Sequence, residues 1–570
     1  MDREILKKYF APKKFTLIGL SILILFGTAI GSITPYIFGK VIDLIISGRI
    51  SSILILMLLM LLLEIIGAIL SSIENYFGSK VTLEISNLIK IDLFSKIICM
   101  GMENLDQYTK GELINRIEND TSAIAKSYLD FITGIFQIVI SVIVSFYFAI
   151  LLSKELTVVF ILFFPILYGG TMIFKKKYKQ SLERMKKFTD KLWGFTNEVF
   201  GNFEGLKSNV LESFFQKKMG VMFTESERVS KKFFVIQGEM NFFQNAINAM
   251  FDCFMLGVAG ILISTRKLSI GNYVSFNQYI GTLTQATAQV MSFVVGLTAC
   301  RVSVQRVEDI FNEPIEDVSL SDKNKVGTIE NIKFESVTFG YQDALVLKGL
   351  NLTLNGAGMY AVVGKNGCGK STLLKLLLRL YRQSAGNIFI NGNNIKNFNL
   401  ANLRQQISYI PKNSFLLNET VRFNITLGRK IDDKSLAEIC RKVDLVDFIE
   451  SLPHKYEEII GENGCILSSG TKQKFAIARA MLQNTTLWLC DEITSDLDGD
   501  VEKKIVEILQ KLAKDKIIII ISHKLSTIDK SNMIFLMHDG CIEEAGTNKE
   551  MIGRSCLYRQ MFEELNILVR

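Results

Sequence analysis

Long, almost unbroken apolar runs fill the first half of the chain and vanish from the second. They lie near residues 17–38, 53–75, 131–152, 157–174, 245–264 and 276–300. A helix of about 20 residues covers the roughly 30 Å hydrocarbon core of a bilayer, so these runs predict a six-span helical membrane domain over 1–310. Past a linker at 311–328 the pattern changes. Short all-apolar runs such as Met359–Val363, Thr486–Cys490 and Ile517–Ile521 read as strands buried on both faces. They alternate with helical spacing, as in Leu373, Leu374, Leu376 and Leu377, and predict an α/β domain over 329–570.

Two stretches between spans, Ser71–Asp130 and Lys175–Asn245, are charged, nearly free of proline and helical in period. Folded out and back at 1.5 Å per residue, each becomes a hairpin reaching roughly 40 Å beyond the membrane. Gly111–Asp120 is expected near the tip of the first, and Asn197–Leu206 is the matching stretch of the second. Charge sets the orientation. Lys7, Lys8, Lys13 and Lys14 precede the first span and Lys175, Lys176, Lys177 and Lys179 follow the fourth. By the positive-inside rule both clusters, the hairpins, the N-terminus and the C-terminal domain face the cytoplasm. The loops around Ser47–Ser51 and Ser153–Leu156 then form the short opposite face. The net charge of +8 is accounted for there, so it implies no nucleic-acid partner. The first run is too long, and lacks a small-residue cleavage site, for a signal peptide. Too little chain precedes it for a peptidase domain. Nine cysteines without a C-x-x-C pair suit a reducing compartment, not a disulfide framework or zinc site.

The apolar runs are not uniformly apolar. Asn241, Asn245, Asn248 and Asp252 recur at i, i+4, i+7 and i+11 around the start of the fifth run, and Gln278, Thr282, Gln285 and Gln289 repeat that spacing in the sixth. Each set makes one polar stripe. Polar groups are costly in lipid, so the stripes face other helices or a water-filled path. Glu64, inside the second run, is a separate candidate for a buried carboxylate.

The sharpest motif is Gly364-Lys365-Asn366-Gly367-Cys368-Gly369-Lys370-Ser371-Thr372, a complete G-x-x-x-x-G-K-[ST] loop between an expected strand and an expected helix. Glycines let backbone N–H groups curl round phosphate oxygens. Lys370 can reach the outer phosphates, Ser371 can hold Mg²⁺, and the helix N-terminus adds partial positive charge. ATP and Mg²⁺ are the expected ligands, and the fold class is a helical six-span membrane domain with long cytoplasmic extensions plus a C-terminal α/β P-loop NTPase domain.

The motifs around this loop, in their order, make the whole chain resemble an ABC exporter half-transporter. Val337-Thr338-Phe339-Gly340-Tyr341 is similar to the loop whose aromatic ring, here Tyr341, stacks on adenine. Gly461-Glu462-Asn463-Gly464 precedes Leu467-Ser468-Ser469-Gly470-Thr471, which resembles the L-S-G-G-Q signature and implies nucleotide contacts from Ser468 and Gly470. The strand ending in Asp491-Glu492 resembles Walker B, implying that Asp491 serves the metal and Glu492 is the catalytic carboxylate. Ser495-Asp496-Leu497-Asp498 resembles the D-loop, and His523 the switch histidine; His454 and His538 have no such setting and read as surface or structural.

Two departures stand out. Lys412 occupies the place of the Q-loop glutamine, and a lysine cannot accept a hydrogen bond as an amide carbonyl can. Ser469 and Thr471 replace a glycine and a glutamine of the signature. One P-loop and one signature per chain imply a second half-transporter as partner, and homodimer and heterodimer both fit. The resemblance implies a bacterial plasma-membrane exporter, in which ATP binding and hydrolysis at cassette interfaces drive alternating access. The stripes suit a peptide-like or amphipathic solute. A non-translocating membrane ATPase or regulator, and an importer on the same scaffold, are the alternatives.

Overall fold

The computed structural model describes residues 6–316, 325–342, 344–460, 467–494, 497 and 499–560. It divides into two compact units: residues up to 94 together with 111–311, and 95–110 together with 312 onward. The second unit thus includes a segment, 95–110, that lies inside the 1–310 stretch expected to form the membrane domain.

Six long helices build the first unit: α1 (Lys14–Ile46), α2 (Ile50–Ile98), α3 (Thr121–Leu152), α4 (Lys154–Gly201), α5 (Glu212–Ser264) and α6 (Ile270–Asn312). Among the described residues, the segments containing α1, α2, α3 and α5 are long and apolar enough to cross a membrane. At 49 and 53 residues, α2 and α5 are roughly 75–80 Å long, which leaves about 45 Å beyond a bilayer core. α2 runs unbroken to Ile98, the chain reverses through the short helix Met102–Leu105, and Gly111 already belongs to the returning arm. The second reversal, Phe203–Ser208, falls at the end of the expected stretch.

Small residues let α1 and α6 touch. A Cβ on Gly39 would lie 1.9 Å from Ser275 Oγ and 2.3 Å from the Gly271 carbonyl oxygen. The Asp43 carboxylate accepts from Ser269 Oγ at 2.7 Å and from the Gly271 N–H at 2.8 Å, capping the start of α6. Around the Pro35 interruption of α1, Ser275 Oγ donates to the Pro35 carbonyl and the Tyr279 hydroxyl to the Ser32 carbonyl, both at 2.7 Å. These bonds tie α6 to the backbone of α1 on both sides of the proline. Tyr279 also stacks on Phe148 of α3 at 5.2 Å between ring centres.

The stripe residues Asn241, Asn245, Asp252, Gln278 and Gln285 are exposed, and Asn248, Thr282 and Gln289 half-buried. They are not sealed between helices of this chain. Next to them a purely apolar cavity of about 290 Å³ opens between α3, α4 and α6, with Phe146, Phe164, Leu283 and Val290 in its lining. Glu64 is exposed on α2 and does not form the expected buried carboxylate.

The second unit is α/β. Strands β1 (Asn331–Tyr341), β2 (Ala344–Asn355), β4 (Ala385–Ile390) and β5 (Asn393–Asn394) form an antiparallel sheet ordered β2-β1-β4-β5. The main sheet orders β10 (Cys541–Gly546), β9 (Met533–His538), β3 (Gly358–Val363), β8 (Ile517–Ile521), β7 (Leu487–Asp491) and β6 (Ile407–Ile410). It is parallel except at the β10 edge. Its centre is covered on both faces, which is why β3, β7 and β8 have no polar residue before Asp491, and all five isoleucines of β8 are buried. Helices α7 (Lys370–Leu377), α8 (Ser469–Gln483) and α9 (Gly499–Leu512) follow or flank these strands.

Candidate functional site

Parallel strands end together, and their ends carry the candidate chemistry. Val362 of β3 is level with Ile521 of β8, and Ile521 with Asp491 of β7. Ile410 of β6 is level with Cys490, so Lys412, two residues on, comes level with Glu492. One register brings the ends of β3, β8, β7 and β6 to a single edge.

The loop after β3 is shaped by its glycines. Gly364, Gly367 and Gly369 have φ of 157°, 84° and 105°, a region that side chains disfavour. A Cβ on Gly364 would lie 2.2 Å from the Met537 carbonyl oxygen. Lys365, Asn366 and Gly367 are exposed, whereas Gly369, Lys370 and Thr372 are buried. Lys370 Nζ donates to the carbonyls of Gly364 at 2.7 Å and Lys365 at 3.0 Å, and burial pulls its pKa below the usual lysine value. The Cys368 thiol, half-buried, is pushed up by burial.

Ser371 Oγ donates to Asp491 Oδ1 at 3.0 Å. Burial raises the Asp491 carboxyl above its usual range, with the Ser371 bond opposing. These two hard oxygen donors beside a helix N-terminus fit a magnesium ion, which takes one or two protein ligands and completes its shell with phosphate and water.

Glu492 has φ of +52°, a left-handed conformation that a glutamate adopts only when its surroundings impose it. Its N–H donates to the Ile521 carbonyl at 3.0 Å, turning the side chain off the end of β7. One carboxylate oxygen meets Lys412 Nζ at 2.5 Å; the other lies 3.6 Å from His523 Nε2. Burial pushes the Glu492 carboxyl up, but the Lys412 bond, with the charges of Lys412, His523 and Lys370, outweighs it and leaves the pKa below the ordinary glutamate value. His523 is held below its usual value by burial and by Lys370, so it is neutral at pH 7. His454 and His538 are exposed, as expected.

Ser468 caps α8, its Oγ accepting from the Thr471 N–H at 3.1 Å. Ser468 and Ser469 are exposed and Gly470 half-buried at the helix start. Ser469 has no positive φ, so serine there replaces glycine without backbone strain. The motif Gly461–Gly464 and the D-loop residues Ser495, Asp496 and Asp498 lie outside the described residues.

Tyr341, at the end of β1, packs edge-on against Phe339 and Tyr381 at 4.9 and 5.1 Å, with its hydroxyl 3.3 Å from Thr372 Oγ1. It borders a cavity of about 690 Å³ that is also lined by Gln342, Tyr381, Glu103 and Asp106. Here the sequence reading missed a connection. The Tyr381 hydroxyl donates to Asp106 at 2.5 Å and the Arg382 N–H to Glu103 at 2.5 Å. The helix Met102–Leu105 is therefore fastened one ring away from Tyr341. Also missed were Tyr409, whose hydroxyl is 3.5 Å from Asp491 Oδ2, and Gln473. Gln473 is 2% exposed and donates to the Lys412 carbonyl at 2.8 Å. Its only visible signal in the sequence is a polar residue on the apolar side of α8.

Comparison with known proteins gives two matching family models, the ABC transporter transmembrane region over residues 17–287 and the ABC transporter model over 347–495. The chain is similar to the ABC transporter ATP-binding protein YfiC of Bacillus subtilis (strain 168), 26% identical across 97% of this chain and 92% of that one. It is also similar to the putative multidrug export ATP-binding/permease protein YgaD of the same organism, 28% identical over 87% and 86% of the two chains. Among solved structures, a bacterial Atm1-family ABC exporter with ATP bound superposes with a TM-score of 0.81 at 24% identity, covering 97% of this chain and 98% of that one.

Proposed function

Because this chain belongs to the ABC exporter family, as a half-transporter that couples ATP hydrolysis to export, we propose how its own residues divide the work. Lys370 and the N–H groups of the loop from Gly364 to Thr372 hold the β- and γ-phosphates, and Tyr341 stacks on adenine. Ser371 and Asp491 hold Mg²⁺, which would neutralise charge between the outer phosphates. Glu492 orients a water and takes its proton as the water oxygen bonds to the γ-phosphorus. The bond from phosphorus to the bridging oxygen breaks, leaving its electron pair on ADP. His523, neutral, is a hydrogen-bond partner for the transferred phosphate. Ser468 and Gly470, exposed at the start of α8, complete the nucleotide site of a second half-transporter. The observation that carries this reading is the convergence of Lys370, Ser371, Asp491, Glu492 and His523 at one edge of the main sheet.

The six apolar runs fit six spans in a bacterial plasma membrane, the lysine clusters beside the first and fourth favour cytoplasmic termini, and the 95–110 segment, grouped with the cassette, moves with it. The exposed polar stripes of α5 and α6, and the apolar cavity that α6 lines with Leu283 and Val290, favour an amphipathic cargo with hydrogen-bonding groups, peptide-like or cationic. Amides both donate and accept, and Asp252 attracts positive charge. The test is reconstitution in proteoliposomes with a panel of neutral lipids, peptides and cationic amphiphiles, reading solute-stimulated ATPase and solute movement. Stimulation by the last two classes, diminished in an Asp252→Leu/Gln285→Leu double variant, is expected. Undiminished stimulation in that variant removes the stripes from the cargo path.

A further inference from the structure

We infer that Lys412 is a second phosphate-contacting cation of this site, for which Glu492 and the γ-phosphate of ATP are alternative partners. The inference rests on reading the strand-end cluster as the ATPase site.

Three observations lead to it. The first is placement: the β6–β7 register sets Lys412 level with Glu492, and its Nζ is 2.5 Å from the carboxylate oxygen that His523 does not face. The second is how firmly the backbone beneath it is held. Gln473 donates to the carbonyl of Lys412 at 2.8 Å and of Pro411 at 3.4 Å, and its own carbonyl accepts from Ser414 Oγ at 2.8 Å. A fully buried amide thus fixes the root of Lys412. The side chain itself is 54% exposed on a flexible four-carbon stem that can swing about that root. The third is charge. Asp491 and Glu492 bring two carboxylates to a place where a triphosphate must also fit. The charges of Lys370 and Lys412 both act on Glu492, with Lys412 the larger of the two.

A lysine here cannot do what an amide does. It offers no acceptor to a metal-bound water, but its ammonium donates to any anionic oxygen in reach. The γ-phosphate carries the strongest such oxygens. When they take the ammonium, the carboxylate oxygen of Glu492 that Lys412 held is released toward water; ADP, lacking them, leaves Lys412 on the carboxylate. The residue then both reads the terminal phosphate and gates the carboxylate beside it. Because α8 carries the signature at its start and Gln473 in its second turn, the root of Lys412 moves with the helix that meets the partner cassette.

The test is binding, not turnover. The full-length protein in detergent, at fixed Mg²⁺, is titrated by calorimetry with ADP and with the non-hydrolysable analogue AMP-PNP. Losing a charge-assisted hydrogen bond weakens binding on the order of 10-fold or more. Lys412→Met is expected to weaken AMP-PNP by that factor and ADP by less than about 2-fold on the same reasoning; ADP affinity also reports that the site is folded. Lys412→Arg keeps the charge and retains most of the discrimination. In a Glu492→Gln background the competing acceptor loses its charge, so wild-type Lys412 binds AMP-PNP more tightly and Lys412→Met costs more than it does alone. Equal weakening of both nucleotides, or none, overturns the inference while leaving the ATPase reading intact. Failure of the wild-type protein to bind AMP-PNP overturns both.

Discussion

One guanidinium carries much of the attachment between the 95–110 segment and the cassette. Arg404 reaches Glu316 through two parallel bonds of 2.7 and 2.9 Å, and its remaining N–H groups donate to the carbonyls of Leu378 at 3.0 Å and Arg379 at 3.2 Å. The Glu316 N–H in turn donates to the Cys99 carbonyl at 2.8 Å, and Ile315 bridges to Met100. Replacing Arg404 with Met keeps the stem and deletes four hydrogen bonds. A fully buried pair broken from one side costs about 3–5 kcal/mol. Side-chain exposures of 28% and 18% let water compensate part of that, which puts the loss at about 2–4 kcal/mol. For a unit of this size each kcal/mol lowers Tm by roughly 2–4 °C, so the cassette transition should fall by about 4–16 °C. Intrinsic tryptophan fluorescence follows it, since Trp488 is buried at the centre of β7. Hydrogen exchange should show the loss of protection concentrated in 95–110. Arg404→Lys, which keeps charge but not the fork, should fall between. A Tm within about 1 °C of wild type in Arg404→Met, with unchanged exchange, would refute the reasoning.

Two further outcomes follow from packing and charge. Gly39→Leu forces a side chain into the Ser275 and Gly271 backbone and should abolish monodisperse protein on size-exclusion chromatography, whereas Gly31→Ala, with nothing within 4 Å of a Cβ, should be neutral or mildly stabilising. Asp444 is held below the usual aspartate range by its hydrogen bond from Lys474, so its contribution is complete above the unfolded value near 3.8 and is lost as pH falls through the lower folded value. The Tm difference between wild type and Lys474→Met should therefore be constant at neutral pH and narrow below about pH 4; a gap independent of pH contradicts the pairing.

How much was legible depended on whether a signal was local. The loop from Gly364 to Thr372 could be read because its spacing is contiguous and its glycines are demanded by positive φ at three of them. The placement of Asp491 and Glu492 at the end of β7 and of His523 just past β8 was legible because both strands are buried on both faces, so the chain emerges at the sheet edge within two residues of each apolar run. The segment expected near the first hairpin tip, Gly111–Asp120, begins just past the reversal at Met102–Leu105, a point that no single residue in the sequence marks. Glu64 was expected to be buried because hydropathy reports depth in a membrane and not which face a residue takes. The Lys412–Glu492 pair and the Tyr381–Asp106 bond join residues 80 and 275 positions apart, and only the folded register discloses them. Lys412 looked like a loss of function in the sequence; beside Glu492 it is a charge in a defined place.

The central claim is that the strand-end cluster hydrolyses ATP with Glu492 as the water-orienting base. The most direct measurement is phosphate release alongside retained radiolabelled ATP for full-length Glu492→Gln. Removing a general base costs about 10²- to 10⁴-fold in rate while the phosphate cradle is untouched. Phosphate release should drop by at least about 100-fold with ATP still bound at wild-type occupancy or above. Release within a few-fold of wild type, or loss of bound ATP in step with release, would contradict the assignment.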